Sequence, residues 1–232
     1  MEQLSGLDAS FLYLETPTNY GHVGGVQVFR HADVPLIRTR EQEAGHVEYL
    51  YSLAPFMRRR LVEVPLGLDH PYWVEDPNFD REYHERFIAV PRPGTDRQLE
   101  EIVSRSASRP LDRSRPLWET YLIEGLDEGR KFAVYSKTHH SAIDGASGTA
   151  LALATMQSTP EHVTYPRPEK RWRPERIPSD AEMLARGMLA TAQRPLKLMR
   201  WQRRALRQMI EGMRPSAGGP RVRERVPAMR AT

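Results

Sequence analysis

Two adjacent histidines, His139 and His140, are the residues of this chain best suited to chemistry. Imidazole is the side chain whose ordinary pKa allows it to accept and return a proton near neutral pH. Asp144 follows four residues after His140, where its carboxylate can fix the loop or a ring, and Gly145 lets a substrate approach the backbone closely. The same pattern is also typical of a polar surface turn, so its surroundings must decide between the two interpretations.

A histidine here could deprotonate a hydroxyl, and the resulting oxygen nucleophile would then attack an acyl carbonyl. The chain has no cysteine, and no Gly-x-Ser-x-Gly segment precedes a helix, which disfavours a covalent acyl-enzyme formed by those routes. Adjacent side chains of an extended segment point to opposite faces, so the two histidines are poorly placed to bind one metal ion. We therefore predict no metal ligands in this loop.

The elements predicted around the histidines favour a functional site. Residues 117–123 and 131–137 predict strands, and the turn residues Asp127–Gly129 between them predict an antiparallel hairpin. Its second strand leads directly into His139, and the small-residue run over 146–156 predicts a helix after the loop. A strand end followed by a loop and a helix is where α/β proteins commonly build sites.

Further elements are predicted by periodicity and capping signals. Residues 5–14 predict a short helix, and 22–29 a strand in which the pair Gly24–Gly25 indicates a bulge or a close approach. Helices are also expected after three capping boxes, which are Thr39–Gln42, Thr95–Gln98 and Ser179–Glu182.

The composition is that of a rather polar globular protein. The 232 residues, 39% of them hydrophobic, suggest one large domain or one domain with an appendage. No apolar run reaches the roughly 18 residues of a membrane span, and the N-terminus lacks the pattern of a secretory signal. We expect a cytoplasmic protein.

Charge divides the chain into an acidic body and a basic end. Residues 167–232 contain 17 Lys/Arg and 6 Asp/Glu, whereas the whole chain has a net charge of +4. The prolines predict a linker over 160–178, followed by a basic helical segment over 179–214 and an extended or disordered tail over 215–232. The basic helices are expected to dock on an acidic protein surface or to lie on a lipid surface. Nucleic acid is not expected, because recognition features are lacking.

The segment His139–Gly145 resembles the His-His-x-x-x-Asp-Gly motif of the bacterial wax ester synthase/diacylglycerol acyltransferase family. That motif is shared with the wider chloramphenicol acetyltransferase-like group of CoA-dependent acyltransferases, which includes non-ribosomal condensation domains. Further segments are similar to this family in particular: Leu4–Leu12, Glu15–Pro17 and His22–Gly25 at the N-terminus, the Pro-Leu-Trp motif within Arg109–Glu119, and Tyr121–Leu126.

The resemblance implies an α/β fold of the chloramphenicol acetyltransferase type, with a mixed, mostly antiparallel sheet flanked by helices. Residues 1–159 would form the N-terminal acyltransferase domain, and the C-terminal helices would connect it to a second, C-terminal half in the same or a separate chain. The implied reaction transfers a fatty acyl group from acyl-CoA, a substrate rather than a cofactor, to diacylglycerol or a long-chain alcohol. The products would be triacylglycerol or wax ester, and contact with the inner membrane or lipid bodies would be peripheral.

Residue roles also follow from the resemblance. His140 would be the general base, His139 would support the loop, Asp144 would be structural, and Gly145 would keep the channel clear. The Pro-Leu-Trp residues would shape the acyl or acceptor channel, although Trp118 also fits the pattern of a core aromatic on a strand; they are Pro116, Leu117 and Trp118.

Two other functions stay open on the sequence. One is an acyltransferase of the same wide group that esterifies a hydroxylated secondary metabolite or polyketide lipid. The other is a non-catalytic half-domain that binds lipid or a partner. Residues 1–157 carry most of the resemblance, which favours triacylglycerol or wax ester synthesis over both.

Overall fold

The computed structural model describes residues 1–31, 48–143, 148, 172–193 and 195. The chain forms two units, residues 1–187 and 188–232. Several predictions lie outside the described residues: Asp144 and Gly145, the helix start at Thr39, the helix over 146–156, most of the segment 179–214 and the whole tail over 215–232. The predicted domain boundaries therefore stay predictions.

The N-terminus forms a short strand, β1 (Glu2–Gln3), and then helix α1 (Gly6–Tyr13). Ser5 caps the helix, because its Oγ accepts the N–H of Asp8 at 3.1 Å. The carboxylate of Asp8 lies in the first turn, where the helix dipole favours a negative charge. These contacts confirm the helix predicted over residues 5–14.

A four-stranded sheet forms the centre of the first unit. Its strands are β2 (His22–Arg30), β5 (Glu85–Ala89), β6 (Trp118–Leu126) and β7 (Lys131–His139), in the order β2-β7-β6-β5. Strand β7 pairs antiparallel with β2 and β6, whereas β5 pairs parallel with β6. The predicted hairpin is therefore confirmed, and the sheet is mixed and mostly antiparallel.

Strand β2 keeps an unbroken register with β7, from His22 opposite His139 to Arg30 opposite Lys131. The sequence predicts either a bulge or a close approach to the backbone at Gly24–Gly25, and the structure shows the close approach. A Cβ added at Gly24 would lie 2.8 Å from the ring of Tyr135, so only glycine fits beside this buried side chain. The aromatic ring thus packs directly against the backbone of β2.

A second, three-stranded sheet has the order β1-β4-β3, with β3 (Arg59–Val62) and β4 (Tyr72–Glu75). Residues 48–53 form helix α2, and Arg81–His84 forms the short helix α3. A hydrophobic cluster joins this sheet to α1 and to the start of β6; its buried members are Leu4, Ala9, Leu12, Leu61, Leu111 and Leu117. Ala142 packs against the same cluster, which therefore supports the histidine loop.

Helix α4 (Asp96–Ala107) covers one face of the four-stranded sheet. Its predicted capping box is confirmed, because Thr95 Oγ1 accepts the N–H of Gln98 at 3.3 Å and the Gln98 side chain accepts the N–H of Thr95 at 2.7 Å. Leu99 of α4 is buried in the core, and burial of a side chain of this size contributes about 1.5–3 kcal/mol. Its partners from the sheet include Tyr121, Ile123, Ala133 and Tyr135.

A buried ion pair fastens α4 to the sheet. Lys137 on β7 lies opposite Glu119 on β6, and its Nζ lies 3.3 Å from Glu119 Oε2. The ammonium group also donates to the carbonyl oxygens of Ser106 and Arg109, each at 3.1 Å, at the C-terminal end of α4. Burial lowers the pKa of Lys137, although the nearby carboxylate opposes that effect.

The described C-terminal part of the first unit lies against the smaller sheet. The indole N–H of Trp172 donates to Glu75 at 2.7 Å, and the N-terminal ammonium group donates to Glu175, also at 2.7 Å. The third predicted capping box is confirmed, because Ser179 and Glu182 exchange hydrogen bonds between side chain and backbone. In the described part of the chain, no helix combines the length and apolar character that a membrane crossing requires.

Candidate active site

His139 is the last residue of β7 and His140 is the first residue after it. The side chain of His139 is 2% exposed, whereas His140 is only partly buried. The sheet therefore delivers two adjacent imidazoles to different environments, one in the interior and one near the surface.

His140 is held by two neighbours. Its backbone N–H donates to the carbonyl oxygen of Gly21 at 2.8 Å, which fixes the start of the loop. Its ring stacks on Phe11 of helix α1, with the ring centroids 4.8 Å apart and the planes inclined by 20°. These contacts orient a partly exposed imidazole, as a general base requires.

The hydrogen bonds of His139 indicate its tautomer. Its Nδ1 accepts the backbone N–H of Ser141 at 3.0 Å and lies 2.7 Å from Ser141 Oγ. A nitrogen that accepts from a backbone N–H carries no proton, so the proton of the neutral ring belongs on Nε2. Burial lowers the pKa of His139, with the nearby Glu15 opposing, so the ring is neutral at pH 7.

Glu15 lies beside this ring. Its Oε1 is 3.2 Å from His139 Nε2, although the two are not aligned for a full hydrogen bond. Oε1 also accepts the N–H of Gly21 at 2.7 Å, and Oε2 accepts from Arg113 at 2.7 Å. Burial alone would raise the pKa of Glu15, but the hydrogen bonds from Gly21 and Arg113 outweigh burial and hold the pKa below its usual value.

Glu15 and Arg113 were not among the site residues predicted from the sequence. Both stand in segments that carry the family resemblance, yet they are 98 residues apart in the chain. No pattern within either segment indicates that the two would pair. Only the fold, which brings the end of α1 next to the segment before β6, places them together.

A cavity of about 320 Å³ lies beside the loop. Three residues that follow His140 form part of its wall, and most of the remaining lining is apolar, with charged groups at Glu2, Asp8 and Arg59. The lining from the loop is Ser141, Ala142 and Ile143, and the apolar lining from elsewhere is Leu53, Ala54, Pro55, Phe56 and Trp73. The imidazole of His140 itself does not line this cavity.

The predicted Pro-Leu-Trp residues lie in the interior. Pro116 is buried, Leu117 is 0% exposed, and Trp118 is 2% exposed. The indole N–H of Trp118 donates to the carbonyl oxygen of Met57 at 2.8 Å, and its ring stacks on His84. Of the two interpretations open for Trp118, the core aromatic agrees with these contacts. A direct contact with substrate stays a prediction for all three residues.

The remaining predicted site residues, Asp144 and Gly145, lie outside the described residues. Of the site residues predicted in the loop, the structure therefore describes His139 and His140, which it places side by side. Within the described ranges, no cluster of three or more His, Asp or Glu side chains is arranged to hold a metal ion.

Comparison with known proteins gives the family. Residues 4–230 match the family model described as the wax ester synthase/diacylglycerol acyltransferase catalytic domain. The chain belongs to this family. The family resemblance stated from the motifs is therefore confirmed.

Two relatives of Mycobacterium tuberculosis H37Rv carry the name diacylglycerol O-acyltransferase. One, tgs3, is 39% identical over 186 residues, which are 80% of this chain and 67% of the relative. The other, Rv1760, is 38% identical over 198 residues, which are 85% of this chain and 39% of the relative. The chain thus spans about two thirds of one family member and about two fifths of the other.

Solved structures agree with the fold. The wax ester synthase/diacylglycerol acyltransferase from Marinobacter aquaeolei VT8 is 39% identical, with a TM-score of 0.55 over 72% of this chain and 42% of that protein. The first condensation domain of the CDA synthetase is 17% identical, with a TM-score of 0.51 over 66% of this chain and 39% of that one. The second likeness concerns the fold alone, and together they confirm the predicted α/β class.

Proposed function

We propose that this chain carries the proton-transferring half of an O-acyltransferase site, with His140 as the general base. The observation that carries the proposal is the arrangement of this imidazole, which is partly exposed, held through its backbone by Gly21 and stacked on Phe11. Membership of a family described by its acyltransferase catalytic domain supports the same assignment.

In the proposed reaction, the imidazole of His140 accepts the proton of an acceptor hydroxyl. The oxygen attacks the thioester carbonyl of acyl-CoA, the carbon–sulfur bond breaks, and the CoA thiolate takes up the proton that His140 accepted. General-base catalysis of this kind contributes about 10²–10⁴-fold in rate. The proposed reaction needs no resident cofactor, because the thioester of acyl-CoA already activates the acyl group.

We propose supporting roles for the other residues of the loop. Buried His139 would hold the loop rather than exchange protons during turnover, because its side chain is 2% exposed and its Nδ1 already accepts the N–H of Ser141. Asp144 would anchor the loop and Gly145 would keep the channel open. The buried Pro116–Trp118 would affect the channel through the packing beneath it rather than through an exposed surface.

For the acceptor, we propose diacylglycerol or a long-chain alcohol. The relatives tgs3 and Rv1760 are named for the first acceptor, and the Marinobacter protein is named for both activities. The cavity of about 320 Å³ beside the loop has apolar lining residues, among them Leu53, Phe56 and Trp73, that offer surface to an alkyl chain. Nothing in the described residues favours a secondary-metabolite acceptor over these lipids.

We propose that a further domain completes the site. The family members that this chain matches extend beyond it, since it covers 39% of Rv1760 and 42% of the Marinobacter protein. In this proposal the oxyanion surroundings and one wall of each substrate site come from that domain, in the same or a separate chain.

The test is acyl transfer from palmitoyl-CoA, followed as CoA release and as labelled lipid product. The chain would be assayed alone and joined to the C-terminal part of the Marinobacter relative, with diacylglycerol, hexadecanol and a hydroxylated polyketide lipid as acceptors. We expect turnover with the first two acceptors in the joined protein. Turnover only with the polyketide lipid would overturn the acceptor assignment, and acyl-CoA binding without turnover on any acceptor would overturn the enzyme assignment.

We also propose that the basic segment over 179–214 contacts a lipid surface, so that a cytoplasmic protein reaches its apolar acceptors at the inner membrane or at lipid bodies. The support is its charge, because residues 179–214 contain 8 Lys/Arg against 3 Asp/Glu. Sedimentation with vesicles tests this. Binding to phosphatidylglycerol vesicles that is lost in high salt would support it, and equal sedimentation without vesicles would contradict it.

A further inference from the structure

We propose that Glu15 is a positioning residue that, together with the backbone N–H of Ser141, fixes the tautomer of His139, and that it also fixes the backbone position of His140. This inference deepens the proposed function and rests on it for its catalytic meaning. The geometric part concerns only described residues and can be tested without turnover.

The carboxylate of Glu15 contacts three different parts of the site. Its Oε1 accepts the N–H of Gly21 at 2.7 Å and lies 3.2 Å from His139 Nε2. Its Oε2 accepts from Arg113 Nη2 at 2.7 Å and from Arg113 Nε at 3.2 Å. The side chain of Glu15 is only 15% exposed. Its carboxylate therefore joins Gly21, His139 and Arg113 largely away from solvent.

Glu15 acts on His139 through charge. Ser141 donates its backbone N–H to Nδ1 of the ring, which leaves the ring proton for Nε2. The carboxylate of Glu15 lies on the Nε2 side, so it favours the tautomer that presents a proton there. In the opposite tautomer, the Nδ1–H of His139 would face the N–H of Ser141, so that two donors would meet. The lone pair of Nε2 would then face the carboxylate of Glu15.

Glu15 acts on His140 through Gly21. The N–H of Gly21 donates to Glu15, and the carbonyl oxygen of Gly21 accepts the N–H of His140 at 2.8 Å. One residue therefore links the carboxylate to the backbone of the proposed base. No larger residue fits this link, because a Cβ on Gly21 would lie 2.7 Å from His139 Nε2 and 3.0 Å from the carbonyl oxygen of Phe11.

Arg113 holds Glu15 in place. Its Nη2 donates both to Glu15 and to the carbonyl oxygen of Leu12, each at 2.7 Å, which ties the carboxylate to the end of α1. The same guanidinium group also donates to Glu63 at 3.2 Å, but that carboxylate is 62% exposed. An exposed pair of this kind contributes little to stability. Glu63 is therefore a matched control: a carboxylate on the same arginine that does not touch the histidines or Gly21.

The alternative is that Glu15 merely stabilises the fold as a partly buried ion pair. That role would lower the melting temperature in a Glu15→Gln variant but would leave the proton of His139 on the same nitrogen. Because glutamine has nearly the same size and keeps one oxygen acceptor, the variant tests the charge more than the packing. Site-specific signals, rather than stability, therefore separate the two roles.

The experiment is ¹⁵N NMR of the imidazole rings in the full 232-residue chain, with long-range ¹⁵N–¹H correlations at pH 7.5. We expect the wild-type ring of His139 to be neutral with its proton on Nε2. In Glu15→Gln, the pattern should move toward the Nδ1–H tautomer and the amide signals of Gly21 and His140 should shift. In Glu63→Gln these signals should stay as in wild type. A wild-type proton on Nδ1, or unchanged His139 signals in Glu15→Gln, would overturn the proposal.

Enzyme kinetics provide a second readout, measured in this chain joined to the C-terminal part of the Marinobacter relative. Small displacements of a catalytic group reduce turnover by factors of about 10–100. We expect Glu15→Gln to lower kcat about tenfold or more with KM for palmitoyl-CoA within about twofold, and Glu63→Gln to retain wild-type kcat. A fall confined to KM would overturn the positioning role. Absent turnover in the wild type would instead contradict the proposed function, while the NMR result would still decide the role of Glu15 on its own.

Discussion

The ring of His140 stacks on the ring of Phe11 at a centroid distance of 4.8 Å. This contact joins the end of β7 to helix α1, two elements that are far apart in the chain. The N-terminal segment and the histidine motif therefore belong to one structure: α1 supplies a wall for the proposed base, and the carbonyl oxygen of Gly21 supplies an anchor for its backbone.

Gly21→Ala should disturb the loop and destabilise the protein. The new Cβ would lie 2.7 Å from His139 Nε2, and overpacking of this kind costs about 1–3 kcal/mol. Gly25→Ala in the following strand is the matched control, because nothing lies within 4 Å of its Cβ, and we expect a change within about 0.5 kcal/mol. Urea unfolding of both variants checks this. Equal effects at the two positions would contradict the close packing at Gly21.

Trp118→Phe distinguishes a core role from a channel role. The variant loses the donor to the carbonyl oxygen of Met57 and part of the packing on His84, so we expect a loss of about 1–3 kcal/mol in the free energy of unfolding. The preferred acyl chain length should stay the same. Unchanged stability together with an altered chain-length profile would instead assign Trp118 to the channel surface.

The buried pair of Glu119 and Lys137 should show strong coupling. Glu119→Gln leaves an ammonium group that is 1% exposed without its counter-charge, and breaking such a pair costs about 3–5 kcal/mol. In the Lys137→Met background the same change should cost clearly less, because no buried cation remains. A double-mutant cycle by urea unfolding measures the difference. Equal costs in both backgrounds would mean that the pair does not interact.

Much of the fold could be predicted from the sequence because its signals are local. The hairpin of β6 and β7 follows from alternating apolar residues around a turn, and the start of α4 follows from the Thr95 capping box. The position of His139 at a strand end follows from the same pattern. These features depend on residues close together in the chain, so a single sequence contains them.

The surroundings of the histidines could not be predicted in this way. The contact between Glu15 and Arg113 spans 98 residues, and the packing of Gly21 against His139 depends on the pairing of β2 with β7. The burial of Trp118 is a further case, since its strand pattern suits a core aromatic and a channel wall equally well. Long-range contacts of this kind appear only when the tertiary structure is known.

Stability should fall as the pH drops below about 6.5. Burial lowers the pKa values of His22, His84 and His139 below the ordinary value of 6.5. Below that pH the unfolded chain takes up protons that the folded chain does not, so the unfolded state gains stability. The contribution of Glu15, whose pKa is lowered, is lost only at more acidic pH, below its ordinary value of 4.5.

Urea unfolding at pH 7.5 and 5.5 checks this pH dependence. We expect lower stability at pH 5.5, and a smaller difference in His84→Gln, since that variant removes one of the three imidazoles whose pKa is lowered. Equal stability of the wild-type protein at the two pH values would contradict the assignment of neutral, buried histidines.

The most direct test of the proposed base is the rate of CoA release from palmitoyl-CoA and diacylglycerol in His140→Ala, measured in the protein joined to the C-terminal part of the Marinobacter relative. His70→Ala is the control, because His70 lies outside the loop and contacts Tyr13. We predict a fall of about 10²–10⁴-fold for His140→Ala in a protein that stays folded at the assay temperature, and near-wild-type release for His70→Ala. Undiminished release in a folded His140→Ala protein would contradict the role of His140 as the general base.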